Sequence, residues 1–398
     1  MKILMLTPYL PYPLVSGGQI RTYNLLKHLS KNHDITLFAL IKDESERKYL
    51  KELEKYCSRI ELFSRTKNPW HPRNILLAGF TPYPFVVTRN LPLGMRHAIE
   101  AELTRKKYDI IHAETFYMMP NIPPTKIPTI LAEQTIEYLG YQDYANKVNS
   151  LIRLFLNLDI AKIKYWERYF WNKSDKLITM SEEDRNFIEK ELGHTLNASV
   201  VANGVDIEYF MGTKKKLPKD PTVLFVGTFK WLPNIEAVEE IVHKIWPLIK
   251  KALPSAKLKI VGFSPTKKIQ SYATDPSIEV LGGVEDIRDA FATAHVLLAP
   301  IRSGKGTRFK VLEAMVTATP VVATNLAVEG IALQPGVNVL TADKSADLAA
   351  LTVKLLQDSK LQTSMGEAGR AVVRATYSWD SIAKELDRVY KEFINHKG

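Results

Sequence analysis

Short apolar runs alternate with stretches of helical periodicity along the whole chain. Residues 2–7 (Lys-Ile-Leu-Met-Leu-Thr) read as a first buried strand. Ile20, Tyr23, Leu26 and Leu29 recur at helical spacing and predict a helix over 19–30. Further strand-like runs fall at 35–41, 110–112, 129–132, 176–179 and 199–201. In the second half the pattern predicts strands at 222–226, 257–261, 278–281, 295–299, 320–323 and 337–341. It predicts helices there at 234–252, 284–293, 307–317, 344–357, 360–375 and 380–394. Such alternation argues for parallel sheets flanked by helices. Residues 203–221 hold Gly204, Gly212, three consecutive lysines and two prolines, and read as a linker. The expected fold class is therefore α/β, with two Rossmann-like doubly wound domains of similar size facing each other across a cleft. In such sheets ligands bind beyond the carboxyl ends of the strands, which is where chemistry is to be sought.

Length and composition agree with this picture. A chain of 398 residues is long for one domain and comfortable for two. Hydrophobic residues at 45% and charged residues at 24% mark a soluble globular protein and exclude disorder. No run is long and apolar enough for a transmembrane helix, and the opening run before Pro8 is too short for a signal-peptide core. The expected location is the cytoplasm. The single cysteine, Cys57, excludes an intrachain disulfide, fits a reducing compartment and is expected to be inert. A net charge of +11 suits anionic partners: nucleic acid, acidic lipid surfaces or phosphorylated small molecules. With no zinc-ligand spacing, RNA-binding motif or basic tail, nucleic acid is set aside.

Three stretches carry candidate chemistry. Ser16-Gly17-Gly18 lies between the first strand and the first helix, where glycines admit a close ligand and a helix N-terminus offers N–H groups to an anion. Gly304-Lys305-Gly306-Thr307-Arg308-Phe309-Lys310-Val311-Leu312-Glu313 follows a buried strand and opens a helix that Thr307 can cap. Arg308 and Lys310 then place two cations in the first turn, against the helix dipole. A diphosphate gives them a reason to be there. Glu313 shares a face with Lys310 and suits the two hydroxyls of a ribose. In the first half, His112 and Glu114 lie two apart on a strand and so on the same side. Glu114 is expected where that strand leaves the sheet, with Glu133 and Glu137 as further candidates after the next strand. Ser181 to Asp184 fits a helix capping box. Residues 147–176 mix lysines and arginines with leucines and aromatics; they fit an amphipathic helix packed on its own domain or one lying on an anionic membrane.

These motifs resemble the retaining glycosyltransferases of the GT-B fold, family four, also called group 1 glycosyltransferases. The likeness runs nearly end to end: S-G-G at 16–18, S-E-E-D at 181–184, N-G-V-D at 203–206, F-V-G at 225–227, W-L-P-N at 231–234, G-K-G-T-R-F-K-V-L-E-A-M at 304–315, P-V-V-A-T at 320–324, V-E-G at 328–330 and Y-S-W-D at 377–380. The subgroup it is similar to is associated with exopolysaccharide and cell-envelope assembly. The resemblance implies an acceptor domain over 1–203, completed by a helix over 380–398, and a nucleotide-sugar-binding domain over 204–379. The implied donor is a UDP-, GDP- or other nucleoside-diphosphate sugar. It would be held by Gly227, Lys230, Gly304, Gly306, Thr307 and Glu313, with Gly17 and Gly18 reaching its phosphate. Arg308 and Lys310 would contact the diphosphate. His112, Glu133 and Glu137 would lie on the acceptor side. Three positions depart from the pattern. Lys305 stands where many members have a glutamate, Lys230 stands in for an Arg and Lys pair, and Glu114 replaces a histidine near the reacting sugar. The implied reaction retains anomeric configuration and needs no metal or cofactor. The acceptor would be a glycan or a lipid-linked glycan, with the protein peripheral at the inner face of the cell membrane. Two alternatives accompany it: a nucleotide-sugar epimerase on the same fold, and a non-catalytic envelope-assembly partner.

Overall fold

A computed structural model describes residues 1–68, 71–304, 306 and 308–395. The chain divides into two compact units, Met1–Ala202 with Asp380–Gly398, and Asn203–Trp379.

The first unit is built on a parallel sheet of seven strands: β1 (Lys2–Thr7), β2 (Asp34–Ile41), β3 (Arg59–Ser64), β4 (Ile110–Glu114), β5 (Thr129–Glu133), β6 (Lys176–Thr179) and β7 (Ala198–Val200). Their order is β3-β2-β1-β4-β5-β6-β7. The central strands are apolar on both faces because helices cover both; Ile3, Leu4, Met5 and Leu6 are fully buried. The edge strand β3 was not anticipated. Its sequence Arg-Ile-Glu-Leu-Phe-Ser is only partly buried and carries charge, so no apolar run announces it. The helices used below are α1 (Gly17–Leu29), α2 (Pro72–Phe80), α3 (Glu137–Ala145), α4 (Ser150–Lys173) and α5 (Glu182–Leu192). Ser181 caps α5 by accepting from Asp184 N at 3.1 Å, and its own hydroxyl donates to the Asp184 carboxylate at 2.8 Å.

The second unit holds a parallel sheet of six strands: β8 (Thr222–Val226), β9 (Lys257–Val261), β10 (Ile278–Leu281), β11 (Val296–Ala299), β12 (Val321–Ala323) and β13 (Leu340–Thr341), in the order β10-β9-β8-β11-β12-β13. The helix predicted over 234–252 is three pieces: α6 (Leu232–Glu240), a π turn over Ile241–Ile245 and an α-helical end over Trp246–Ala252. Pro247 has no N–H to give and its ring crowds the carbonyl of the preceding turn, so the ladder widens there. β13 is shorter than the predicted 337–341, since Gly336, at a φ of 85°, turns the chain just before it. α7 (Phe309–Val316) follows β11.

The last helix, α8 (Trp379–Asn395), buries Leu386, Val389, Tyr390 and Phe393 on one face. It bonds to the first unit through His33 and Asp387, 2.8 Å apart. Each sheet reverses its strand order once, between β1 and β4 in the first and between β8 and β11 in the second. A crevice opens at such a reversal because the flanking connections leave in opposite directions.

Candidate functional site

In the second unit, the segments leaving β8 and β11 bring together the residues singled out from sequence. Gly304 and Gly306 adopt φ values of 83° and 92°, which side chains resist. The Arg308 guanidinium folds back on this loop, donating to the carbonyls of Gly304 and Gly306 at 2.7 Å each. The loop thus wraps its own backbone around a cation. Lys305 and Thr307 lie outside the described residues. The helix begins at Phe309, and Arg308, at φ −89° and ψ 89°, occupies the cap position expected for Thr307. Only Lys310 is therefore in the first helical turn; Arg308 stands just before it.

Lys310 is buried. Its ammonium donates to Asn234 Oδ1 at 2.8 Å and lies 4.3 Å above the Phe225 ring. Burial, aided by the neighbouring Arg308 charge and opposed by Glu313, pulls the Lys310 pKa down to about 7. Burial pushes Glu313 up to about 7, against the pull of Lys310. Burial also lowers Arg308. Three ionisable groups are thus held together, Lys310 buried and Arg308 and Glu313 half-buried beside it.

Asn234 was not among the expected site residues, although it closes the W-L-P-N stretch. Besides accepting from Lys310, it donates to the Thr228 carbonyl at 2.9 Å. A Cβ on Gly227 would come within 2.7 Å of the Asn234 amide carbon, so Gly227 is small in order to admit Asn234. Lys230 is exposed on the turn after β8.

The corresponding end of the first unit is closed in. Gly17 and Gly18 are the first two residues of α1 rather than loop, because Ser16 caps the helix ahead of them. A Cβ on Gly18 would lie 2.6 Å from the Tyr9 hydroxyl and 2.8 Å from Gln134 Oε1. β4 does not leave the sheet at Glu114, which stays paired in register with Ala132. His112 and Glu114 are both fully buried and meet at 3.3 Å. The other His112 nitrogen, Nδ1, bonds to the Tyr390 hydroxyl at 2.6 Å. Gln134 donates to Glu114 at 2.6 Å and to Tyr9 at 2.7 Å. Burial works against the Glu114 charge, but His112, Arg21 and Gln134 outweigh it and lower its pKa. The expectation that Glu114 faces a ligand directly is corrected: its oxygens are taken up by neighbours inside the network.

Glu133, at the end of β5, is buried too and accepts from the Trp171 indole at 3.0 Å. Burial holds it well above the usual carboxylate range. Glu137 opens α3 and is pushed up to about 7 by burial. Glu167, on α4, went unnoticed in the sequence because its neighbours are aromatic and basic. It accepts from Glu137 N at 2.7 Å and Tyr138 N at 3.1 Å, tying down the first turn of α3. Cys57 is buried and its thiol is pushed up to about 12 by burial, as expected for an inert residue.

Residues 15–209 match the family model described as Glycosyltransferase Family 4, and residues 220–358 match the one described as Glycosyl transferases group 1. The chain carries two glycosyltransferase domains. The first of these glycosyltransferase domains contains Gly17, Gly18, His112, Glu114, Glu133 and Glu137; the second contains Gly227, Asn234 and the segment from Gly304 to Glu313. An uncharacterized 44.6 kDa protein in the cps region of Klebsiella pneumoniae is 24% identical over 363 residues, covering 86% of this chain and 87% of its own. A phosphatidyl-myo-inositol mannosyltransferase of Mycobacterium leprae is 29% identical over 224 residues, 54% of this chain; the match spans 58% of the mannosyltransferase. Among solved structures, the sucrose-phosphate synthase of Thermosynechococcus elongatus superposes with a TM-score of 0.74 at 17% identity, over 100% of both chains. HepE of Anabaena, in complex with UDP and glucose, does so with a TM-score of 0.65 at 16% identity, over 98% of this chain and 100% of its own. The glycosyltransferase domains thus have the two-sheet α/β architecture of the GT-B structures.

Proposed function

We propose that this protein transfers a sugar from a nucleoside-diphosphate sugar to a hydroxyl of a glycan or lipid-linked acceptor, with retention of anomeric configuration. The observation that carries the reading is the pair Arg308, half-buried, and Lys310, buried, on a glycine-turned loop at the strand-order reversal of the second sheet. As the bond from the anomeric carbon to the diphosphate breaks, negative charge collects on the departing oxygens. Cations already in place and shielded from water stabilise that charge more than the ground state. Arg308 binds phosphate oxygens in place of its own loop carbonyls, Lys310 adds a point charge, and Glu313 accepts from the ribose hydroxyls.

In this reading the departing phosphate oxygen takes the acceptor proton, on the same face of the sugar. The first domain holds the acceptor, and Glu114 is a positioning residue that acts through His112 and Gln134. The cps-region relative supports a role in polysaccharide or other envelope glycan synthesis. HepE with UDP and a GDP-mannose-dependent mannosyltransferase of Corynebacterium glutamicum make UDP- and GDP-sugars the donors to try. The net charge of +11 suits work at an acidic cytoplasmic membrane surface.

Calorimetry with UDP and GDP tests the donor site, and proton NMR of product formed from matched donors tests the stereochemistry. Nucleotide binding that is lost in Arg308→Ala, together with product of the donor's own anomeric configuration, is expected. Inverted product, or an epimer formed from donor alone, overturns the reading.

A further inference from the structure

The outer face of α4 is apolar where a surface helix is normally polar. Phe155 is 72% exposed, Leu158 63% and Leu154 61%. The inner face is apolar as well, with Ile163 and Trp171 buried in the domain core. A helix whose first half is apolar on its outer face as well as its inner one asks for a second covering there. α2 enlarges the patch, with Phe80 at its end 87% exposed and Leu76 57%. The two helices are tied together. The Lys162 ammonium, one turn beyond Leu158, donates to the carbonyls of Ala78 and Thr81 at 2.6 and 3.0 Å.

Charge says what the covering is. The two acids of α4 turn inward: Asp159 accepts from Phe85 N at 2.8 Å, and Glu167 caps α3. Along the second half of α4, an open groove is lined by Lys164, Tyr165, Arg168, Tyr169, Asn172 and Lys173; Glu191 of α5 pairs with Lys164 at 2.7 Å and Arg168 at 2.6 Å, one carboxylate against these three cations. The helix is therefore graded along its length, from aliphatic and phenyl groups at its start to tyrosines and cations at its end. A second copy of the chain paired symmetrically on this face would set these cations against their own counterparts. An anionic bilayer meets both halves: acyl chains take the apolar end, and lipid phosphates take the cations, with tyrosines at the boundary.

We propose that α2 and α4 form a docking face for an anionic lipid surface, with Phe80, Leu154, Phe155 and Leu158 inserted and the Arg168–Lys173 end at the headgroups. This deepens the reading that the acceptor lies at a membrane. It is tested without any transfer reaction, so the two stand or fall separately. The full chain is floated with phosphatidylcholine vesicles that contain or lack phosphatidylglycerol, at low and high salt, while UDP-dependent melting is followed on the same samples. Wild type is expected to bind the anionic vesicles roughly 10-fold more strongly than the neutral ones, and to weaken with salt. The triple variant Leu154→Asp, Phe155→Asp, Leu158→Asp is expected to lose binding by about 10-fold or more while its melting is unchanged. Lys173→Glu, distant from the apolar end, is expected to weaken binding by about threefold. Absence of flotation at low salt overturns the proposal, as does wild-type flotation by the triple variant. A concentration-dependent dimer in sedimentation that the triple variant abolishes assigns the face to a second copy and overturns it too.

Discussion

The two strand-order reversals occupy the same place in two sheets of the same design, yet their polar groups are satisfied in opposite ways. In the first unit, His112, Glu114, Gln134, Tyr9 and Tyr390 bond to one another, and Gly18 is packed against them. The Glu114 carboxylate is met there by His112, Gln134 and the nearby Arg21 charge, so little is gained by exchanging a partner. In the second unit, Arg308 is held by backbone carbonyls and Lys310 by an amide and an aromatic ring. Even with the Glu329 charge acting on Arg308 and the Glu313 charge acting on Lys310, carbonyls, an amide and a ring are weaker partners for cations than a diphosphate, so an anion can displace them favourably. The first end is built to stay as it is; the second, in the function proposed, takes up something negative.

The largest expected effect is at the occupied end. Arg308→Ala or Lys310→Ala should lower turnover by at least ~100-fold, the loss of one strong charge-stabilising group. Steady-state kinetics read this, and near wild-type rates in both variants would remove the distinction between the two ends. Next is the static end. Tyr390→Phe leaves a buried His112 nitrogen without its partner and should cost about 1–3 kcal/mol of stability in denaturant unfolding. Its nucleotide affinity should not change; a fall as large as that of Arg308→Ala would show that the two ends are not separable.

A smaller effect is expected at Asn234, which touches Lys310 rather than the reacting atoms. Asn234→Ala should lower kcat/KM by about 10-fold, or roughly 1.4 kcal/mol. Asn234→Asp should restore part of it and keep Lys310 protonated to higher pH, which a merely structural role does not predict. The smallest effect is the pH dependence of nucleotide affinity. Lys310 loses its charge as pH rises through about 7, and Glu313 loses its charge as pH falls through about 7. Affinity should therefore peak near neutrality and decline by about threefold on either side. Lys310→Met should remove the alkaline limb and Glu313→Gln the acid limb; limbs that persist in these variants belong to other groups.

Much of the second site could be read in advance because it is local. Gly304 to Glu313 is one loop and one helix start, and spacing alone puts Lys310 beside Glu313. Asn234 escaped notice because its role depends on α6 docking across β8, some 76 positions from Lys310 in the chain. The first site was less legible for the same reason. Its closing residue, Tyr390, comes from the last helix and meets His112 at a separation of 278 positions. Glu114 was misjudged because the end of an apolar run need not be the end of a strand. β4 carries on through it, since a polar side chain is tolerated in a sheet interior once Gln134 and His112 supply its hydrogen bonds.

What the sequence by itself determined is the alternation of strand and helix, the two-sheet class and the cation-bearing loop, all set by short-range periodicity and by the backbone freedom of glycine. Only the tertiary structure decided which of the polar residues are spent on one another and which remain available to a ligand. Hydrogen-bond partners are set by packing between segments remote in the chain, and that is the level at which Glu114 became scaffold while Arg308 and Lys310 stayed the better candidates for chemistry.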